Sequence, residues 1–177
     1  MNVYCIVVTF NAATWLEKCF SSLRNADVPI KTIAVDNGST DDTIQLLKEK
    51  FPEVEIVQPE TNLGFVKGNN AGITKAIEYG ADFIYFLNQD AYLFKGSIRK
   101  LLEVFDQNPR AGLISPVHLA GDERNLDFGF YKYVDPIHTP FFLGDLLKGE
   151  YELTYETAYI NAAAWILKAR MIREIGM

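Results

Sequence analysis

Cysteine is nearly missing from this chain. Cys5 and Cys19 are the only two in 177 residues. They make neither a disulfide framework nor a metal-ligand spacing, so a reducing compartment, the cytoplasm, is the expectation. Basic residues are also in short supply. Lys and Arg total 17 against 23 Asp and Glu, a net charge of −6. A general nucleic-acid surface needs clustered Lys and Arg to neutralise phosphates, so nucleic acid is excluded as a partner class. Long apolar runs are lacking too. Stretches such as Phe83–Leu87 and Ala91–Phe94 fall far below the ~18 residues of a membrane span. The N-terminal MNVYCIVVTFN lacks the basic n-region of a secretory signal, and no basic amphipathic helix marks a membrane surface. Neither G-x-G-x-x-G nor the Gly-Lys-Ser/Thr of a P-loop occurs. No Gly-x-Ser-x-Gly or Cys-His arrangement offers a nucleophile. An EF-hand starting at Asp36 fails because Asp41 would stand at the obligatory glycine and Leu47 at the closing glutamate.

What is present is a well-stocked core. Hydrophobic residues make up 49% and aromatics 13%, which excludes disorder. One domain is expected, burying roughly 70% of the unfolded surface. Strand-like runs alternate with helical patterns. Strands are expected at Val3–Phe10, Lys31–Asp36, Glu53–Gln58, Phe83–Leu87 and Leu113–Val117. Between them, helices are expected at Thr14–Arg24, from a Ser39–Asp42 capping box to Lys50, at Val66–Tyr79 and at Ser97–Phe105. This β-α alternation predicts an α/β fold with a mostly parallel sheet flanked by helices. Ala120–Thr157 has no clean period and reads as hairpins and long loops. Its aromatics Phe128, Phe130, Tyr131, Tyr133, Phe141 and Phe142 read as cover for the sheet. Ala158–Leu167 reads as a further strand and Arg170–Ile175 as the start of a helix.

Ligands of open parallel sheets bind beyond the carboxyl ends of the strands. Three loops there are polar: Thr9-Phe10-Asn11, Asp36-Asn37-Gly38-Ser39 and Asn88-Gln89-Asp90. They are expected to converge. Asp36 could close its own turn or accept from a base N–H or a ribose hydroxyl. Asn62-Leu63-Gly64-Phe65 and Gly68-Asn69-Asn70-Ala71-Gly72 open a helix where glycines permit close approach and the N-terminus favours phosphate. Asp90 at a strand end suits Mg²⁺ or Mn²⁺, which bind through few carboxylates plus substrate phosphates. His118 and His138 lack partners at ligand spacing and read as structural.

In order and spacing, these motifs resemble the family 2 glycosyltransferases of GT-A fold, in particular bacterial rhamnosyltransferase-like members that build surface polysaccharide. The resemblance implies that Thr9, Phe10, Asn11 and Asp36 hold the nucleoside of a dTDP- or UDP-linked sugar. Asn62, Gly64, Gly68 and Asn69 would then line the site near the diphosphate. Asn88-Gln89-Asp90 stands where the family has Asp-x-Asp, with Asp90 on the metal and Asn88 on the ribose. It further implies inversion at the anomeric carbon, a glycan or lipid-linked glycan acceptor, and a place at the inner face of the membrane.

Two departures qualify the resemblance. Asn161-Ala162-Ala163-Ala164-Trp165 stands where many relatives carry a Gly-Ala pair beside the acceptor. The chain also stops at Met177, where relatives continue into a Glu-Asp pair holding the base. The expectation is therefore a GT-A domain over residues 1–177, truncated at its C-terminus. Residues 1–118 would form the nucleotide-sugar-binding half and 119–177 the start of the acceptor half. Only Glu150, Glu152, Glu156, Asp127 and Asp135 offer substitutes for the base. Slow transfer is expected, along with exposure of the Ala158–Leu167 strand and self-association into a homo-oligomer. Two rivals remain. A nucleotidyltransferase would need a Gly-rich basic loop in place of Thr9-Phe10-Asn11-Ala12-Ala13. A non-catalytic nucleotide-sugar-binding module would need no base at all.

Overall fold

The computed structural model describes residues 1–176. Its sheet has six strands: β1 (Val3–Thr9), β2 (Ile30–Asp36), β3 (Glu55–Val57), β4 (Phe83–Leu87), β5 (Leu113–Ile114) and β6 (Ala164–Lys168). Their order is β3-β2-β1-β4-β6-β5. The first four run parallel, while β6 is antiparallel to both neighbours. Helices α1 (Ala13–Arg24), α2 (Thr43–Lys50), α3 (Gly64–Glu78) and α4 (Ser97–Gln107) connect the strands. The short helices α5 (Phe128–Tyr131), α6 (Phe142–Lys148) and α7 (Ala169–Ile175) come later.

Alternation along β1 divides the core in two. Val3, Cys5 and Val7 face α1, α2 and α4, where they meet Leu16, Phe20, Leu47, Phe51, Leu101 and Phe105. Tyr4 and Ile6 face α3 and α7, where they meet Ile73, Ala76, Ala169 and Ile172. Both faces of the sheet are covered, which is why its strands read as continuous apolar runs. Gly68 and Gly72 bring α3 close to β1. A Cβ at Gly72 would lie 2.5 Å from Ile6 Cγ2, and one at Gly68 would lie 3.1 Å from Val8 Cγ1.

Several boundaries differ from the sequence reading. The Ser39–Asp42 stretch serves two helices. N-cap Asp42 makes no side-chain cap bond, but Asp41 Oδ1 accepts from Thr43 N (3.1 Å), the first amide of α2. The same loop also caps its neighbour α1. Asn11 N donates to Ser39 Oγ (2.9 Å), Ala12 N to Thr43 Oγ1 (2.7 Å) and Ala13 N to Asp41 Oδ2 (3.1 Å). These amides at the start of a helix have no partner within it, and the side chains of a spatial neighbour serve as well as local ones. β5 stops at Ile114, two residues before Pro116, which has no N–H to add to a ladder. The Ala158–Leu167 strand shortens to Ala164–Lys168. Its apolar side chains are not exposed: Ala164, Ile166 and Leu167 are buried because β6 lies between β4 and β5 with helices on both faces.

The Ala120–Thr157 region is not built of hairpins. It holds α5, α6 and loops, with one isolated bridge, Leu119 to Leu126. Its aromatics do not cover the sheet either. Phe128, Tyr131 and Phe141 are 72%, 60% and 79% exposed. Phe130 packs on His118 (centroids 5.0 Å apart), Tyr133 stacks on Tyr159 (3.8 Å), and Phe142 meets Tyr155 edge-on (5.2 Å). These rings pack on one another and on flanking residues, and none of them belongs to either core cluster of the sheet.

Gly72→Ala tests the close helix–sheet contact. Alanine should gain about 1 kcal/mol of helix propensity, but overpacking against buried Ile6 costs about 1–3 kcal/mol. Urea unfolding should show a net loss, and the penalty should vanish in an Ile6→Ala background. Gly72→Ala without loss in the Ile6 protein would contradict the contact.

Candidate functional site

The strand order reverses direction between β1 and β4, so a ligand crevice is expected at the carboxyl ends of these two strands. Their register runs only as far as Ile6 opposite Phe86. Beyond it the strands part, because the backbone of Asn88 turns to β6 and donates to Ala163 O (2.9 Å). β2 ends beside β1, with Asp36 opposite Thr9. Thr9, Asp36 and the Asn88–Asp90 loop therefore share one edge of the sheet.

Asp36 is the most heavily bonded group there. It is 1% exposed. Oδ1 accepts from Thr9 Oγ1 (3.0 Å) and from the Ser39 hydroxyl, and Oδ2 accepts from Gly38 N (3.2 Å) and Ser39 N (3.0 Å). All of its roughly four acceptor positions are taken. Its turn-closing role is thus realised. Asn11 sits at φ 49°, a left-handed conformation that Asn tolerates better than most side chains. This turns its Oδ1 to accept from Thr40 N (2.9 Å). The first two loops are thereby stitched together. Phe10 points outward, 48% exposed.

Two residues named in the polar loops but given no role of their own hold the remaining pieces. Asn37 is buried. It donates from Nδ2 to Gly64 O (3.1 Å) and accepts at Oδ1 from Leu63 N (3.2 Å), tying the β2 loop to the start of α3. Gln89 accepts at Oε1 from Phe10 N (2.8 Å) and donates from Nε2 to Phe10 O (3.2 Å). The sequence signal for both was membership of a polar triplet that ends an apolar strand; nothing local marked their partners. At α3, Asn62 Oδ1 accepts from Gly64 N (2.8 Å), and Gly64 has φ 71°. Asn69 donates to Phe65 O within its own helix (2.9 Å). Gly68 meets Val8 and the Asn37 side chain, so it packs helix on sheet while facing the same loops.

Asp90 is exposed. Its charge reaches α1: the Cys19 thiol is pushed up to about 12, first by burial and then by Asp90. Among the described residues no group of three or more His, Cys, Asp or Glu is set to hold an ion. A lone carboxylate at a strand end still fits an Mg²⁺ or Mn²⁺ whose other ligands are phosphate oxygens and water.

On the β6 side, His118 is buried and structural, as the sequence suggested. Its Nε2 lies 2.9 Å from Ala164 O, and burial holds its pKa below the usual histidine value. His138 instead pairs with Asp135 (2.7 Å), which holds the Asp135 carboxyl below its ordinary range. Asp127 caps α5 through Phe130 N (2.9 Å) and accepts from Asn161 Nδ2 (3.2 Å). Both of these candidate bases are engaged, while Glu150, Glu152 and Glu156 stand in solvent.

Asp36→Ala should cost about 2–4 kcal/mol in urea unfolding, because it strands two backbone amides and two hydroxyls. Asp36→Asn should cost about 1 kcal/mol, since the amide oxygen can keep both backbone amides while the hydroxyls rotate to accept from its NH₂. Equal losses for the two variants would contradict this account.

The profile described as Glycosyl transferase family 2 matches residues 4–176. The chain is 31% identical over 121 residues to the N-acetylglucosaminyl-diphospho-decaprenol L-rhamnosyltransferase of Mycobacterium tuberculosis, covering 63% of this chain and 39% of that one. It is 33% identical over 135 residues to the O-antigen chain rhamnosyltransferase WbaN of Salmonella anatum, covering 70% and 42%. The chain thus spans about two fifths of the length of these relatives. A mannosyltransferase from Pyrobaculum calidifontis, solved with GDP-Man and Mn²⁺, superposes with a TM-score of 0.71 at 18% identity, covering 99% of this chain and 46% of that one. That likeness is one of fold, the GT-A fold that the motifs suggested. With the family profile matching nearly end to end, the chain belongs to glycosyl transferase family 2.

Proposed function

We propose that this chain binds a nucleoside-diphosphate sugar in the β1/β4 crevice and serves an inverting, metal-dependent sugar transfer. The observation that carries the reading is the convergence of Thr9–Asn11, Asp36–Ser39 and Asn88–Asp90 on one sheet edge. Rhamnose from dTDP is the first choice of donor, on the strength of the two rhamnosyltransferase relatives, and UDP-sugars come next. The acceptor is a glycan or lipid-linked glycan, by analogy with the mycobacterial relative, whose name specifies a diphospho-decaprenol. Such an acceptor places the work at the cytoplasmic face of a membrane, although no helix among the described residues is long and apolar enough to cross one.

In this reading residues 1–118 bind the donor and residues 119–177 begin the acceptor side. Phe10 and Asn11 flank the nucleoside. A base N–H reaches Asp36 only by displacing the Thr9 or Ser39 hydroxyl, so Asp36 acts chiefly through the loop that it orders. Asn62, Gly64, Gly68 and Asn69 lie along the diphosphate, and Asn88 meets the ribose. Asp90 would hold an Mg²⁺ or Mn²⁺, and a bound ion would supply charge neutralisation for a diphosphate leaving group. The acceptor hydroxyl attacks the anomeric carbon from the opposite face and passes its proton to a carboxylate.

The test is thermal unfolding with dTDP or UDP and Mn²⁺. At about 100 times its Kd, a ligand of the native state adds about 2.7 kcal/mol, or roughly 5–10 °C for a chain of this size. Asp90→Asn should abolish the Mn²⁺-dependent part of that shift. It should leave the unliganded midpoint nearly unchanged, since an exposed loop end contributes little stability. The absence of a shift with either nucleotide would overturn the reading. A full Mn²⁺ effect in Asp90→Asn would move the ion elsewhere.

A further inference from the structure

We propose that Gln89 is a positioning residue that sets the separation between the nucleoside loop and the metal-binding carboxylate. This rests on the nucleotide reading of the crevice and deepens it.

The ladder between β1 and β4 is broken at the crevice. The two strands pair in register from Val3 opposite Phe83 to Ile6 opposite Phe86. Past that point β4 turns to β6, with Asn88 N bonded to Ala163 O. The strand ends are left without mutual backbone bonds where the crevice opens. The Gln89 side chain spans this gap. Its amide offers Phe10 both a carbonyl oxygen, for the N–H at 2.8 Å, and an NH₂, for the C=O at 3.2 Å. It thus reproduces with one side chain the two-way exchange that a paired strand would supply. The chemistry also fixes the amide's orientation, because Phe10 N–H needs an acceptor and Phe10 C=O needs a donor.

A glutamine has considerable rotamer freedom to lose. Two simultaneous bonds to one backbone unit are what hold it. The consequence for the site is geometric. Gln89 is adjacent in sequence to Asp90, and Phe10 lies between Thr9, bonded to Asp36, and Asn11, bonded to Ser39 and Thr40. The clamp therefore connects the carboxylate that would face the metal to the loop that would face the nucleoside, beyond the end of the β1–β4 ladder. A ligand held only at its nucleoside end has little need of the clamp. One held at both ends needs the two loops at a set distance.

The experiment is calorimetric titration of dTDP and of UDP into the wild type, Gln89→Ala and Gln89→Met, with and without Mn²⁺. Either variant removes both bonds to Phe10, and methionine keeps the length of the side chain without its amide. Both should weaken binding about tenfold with Mn²⁺, the worth of two modest hydrogen bonds, and less than about twofold without it. A residue that merely supported the fold would weaken binding alike in both conditions. If Gln89→Ala fails to fold, Gln89→Met decides alone. Wild type that binds while both variants bind equally well, or lose affinity equally with and without Mn²⁺, would overturn the clamp alone. Wild type that binds neither nucleotide would overturn the nucleotide reading and the clamp with it.

Discussion

A carboxylate buried at the end of a strand must have its charge met by donors, and at Asp36 four of them answer. They come from β1 through Thr9 and from the following loop through Gly38 and Ser39. Leaving such a group unpaired inside a protein costs several kcal/mol, so the loop has little freedom to do otherwise. The arrangement spreads outward from there. Ser39, drawn in by Asp36, accepts from Asn11 N, and Thr43 and Asp41 accept from Ala12 and Ala13. The start of α1 thus depends on the loop that Asp36 organises. One side chain orders both the β2 loop and the β1 loop.

Sheet geometry explains why this order is concentrated at an edge. Helices cover both faces of the sheet, so a ligand has access only where strands end. Among the strand ends, the β1/β4 boundary is special because connections leave it in opposite directions and no crossover fills the space. Gly72 and Gly68 bring α3 onto β1, and Asn37 then bonds the first turn of that helix. The start of α3 is held against the same crevice as a result. Packing in the core and polarity at the rim are therefore one design: the glycines that let the helix approach also decide where its N-terminal end stands.

Much of this was legible in the sequence, for identifiable reasons. Double-sided burial makes strands such as Phe83–Leu87 uninterrupted apolar runs, and β4 has those bounds. The polar triplets after β1, β2 and β4 were visible because they interrupt such runs abruptly. The capping signal at Ser39–Asp42 was real and serves two helices, since a hydroxyl or carboxylate caps whichever amide lies near it in space. Gln89 was invisible as a clamp, because its partner lies 79 residues away. Residues 120–160 defeated the reading for a different reason. With helices of four and seven residues and rings stacked on one another, no periodic pattern is ever established.

The central claim is that the carboxyl ends of β1, β2 and β4 form one nucleotide site with its metal at Asp90. Paramagnetic broadening of backbone amide signals by Mn²⁺ in the presence of dTDP tests it most directly, because the effect falls off steeply with distance from the ion. The account predicts that signals of Gln89, Asp90 and Ala91 vanish first, that those of Phe10, Asn11, Gly38 and Ser39 weaken next, and that Asp82 and Lys168 at the opposite edge remain sharp. Broadening centred on Asp82 and Lys168, or spread evenly over the acidic surface, would contradict it.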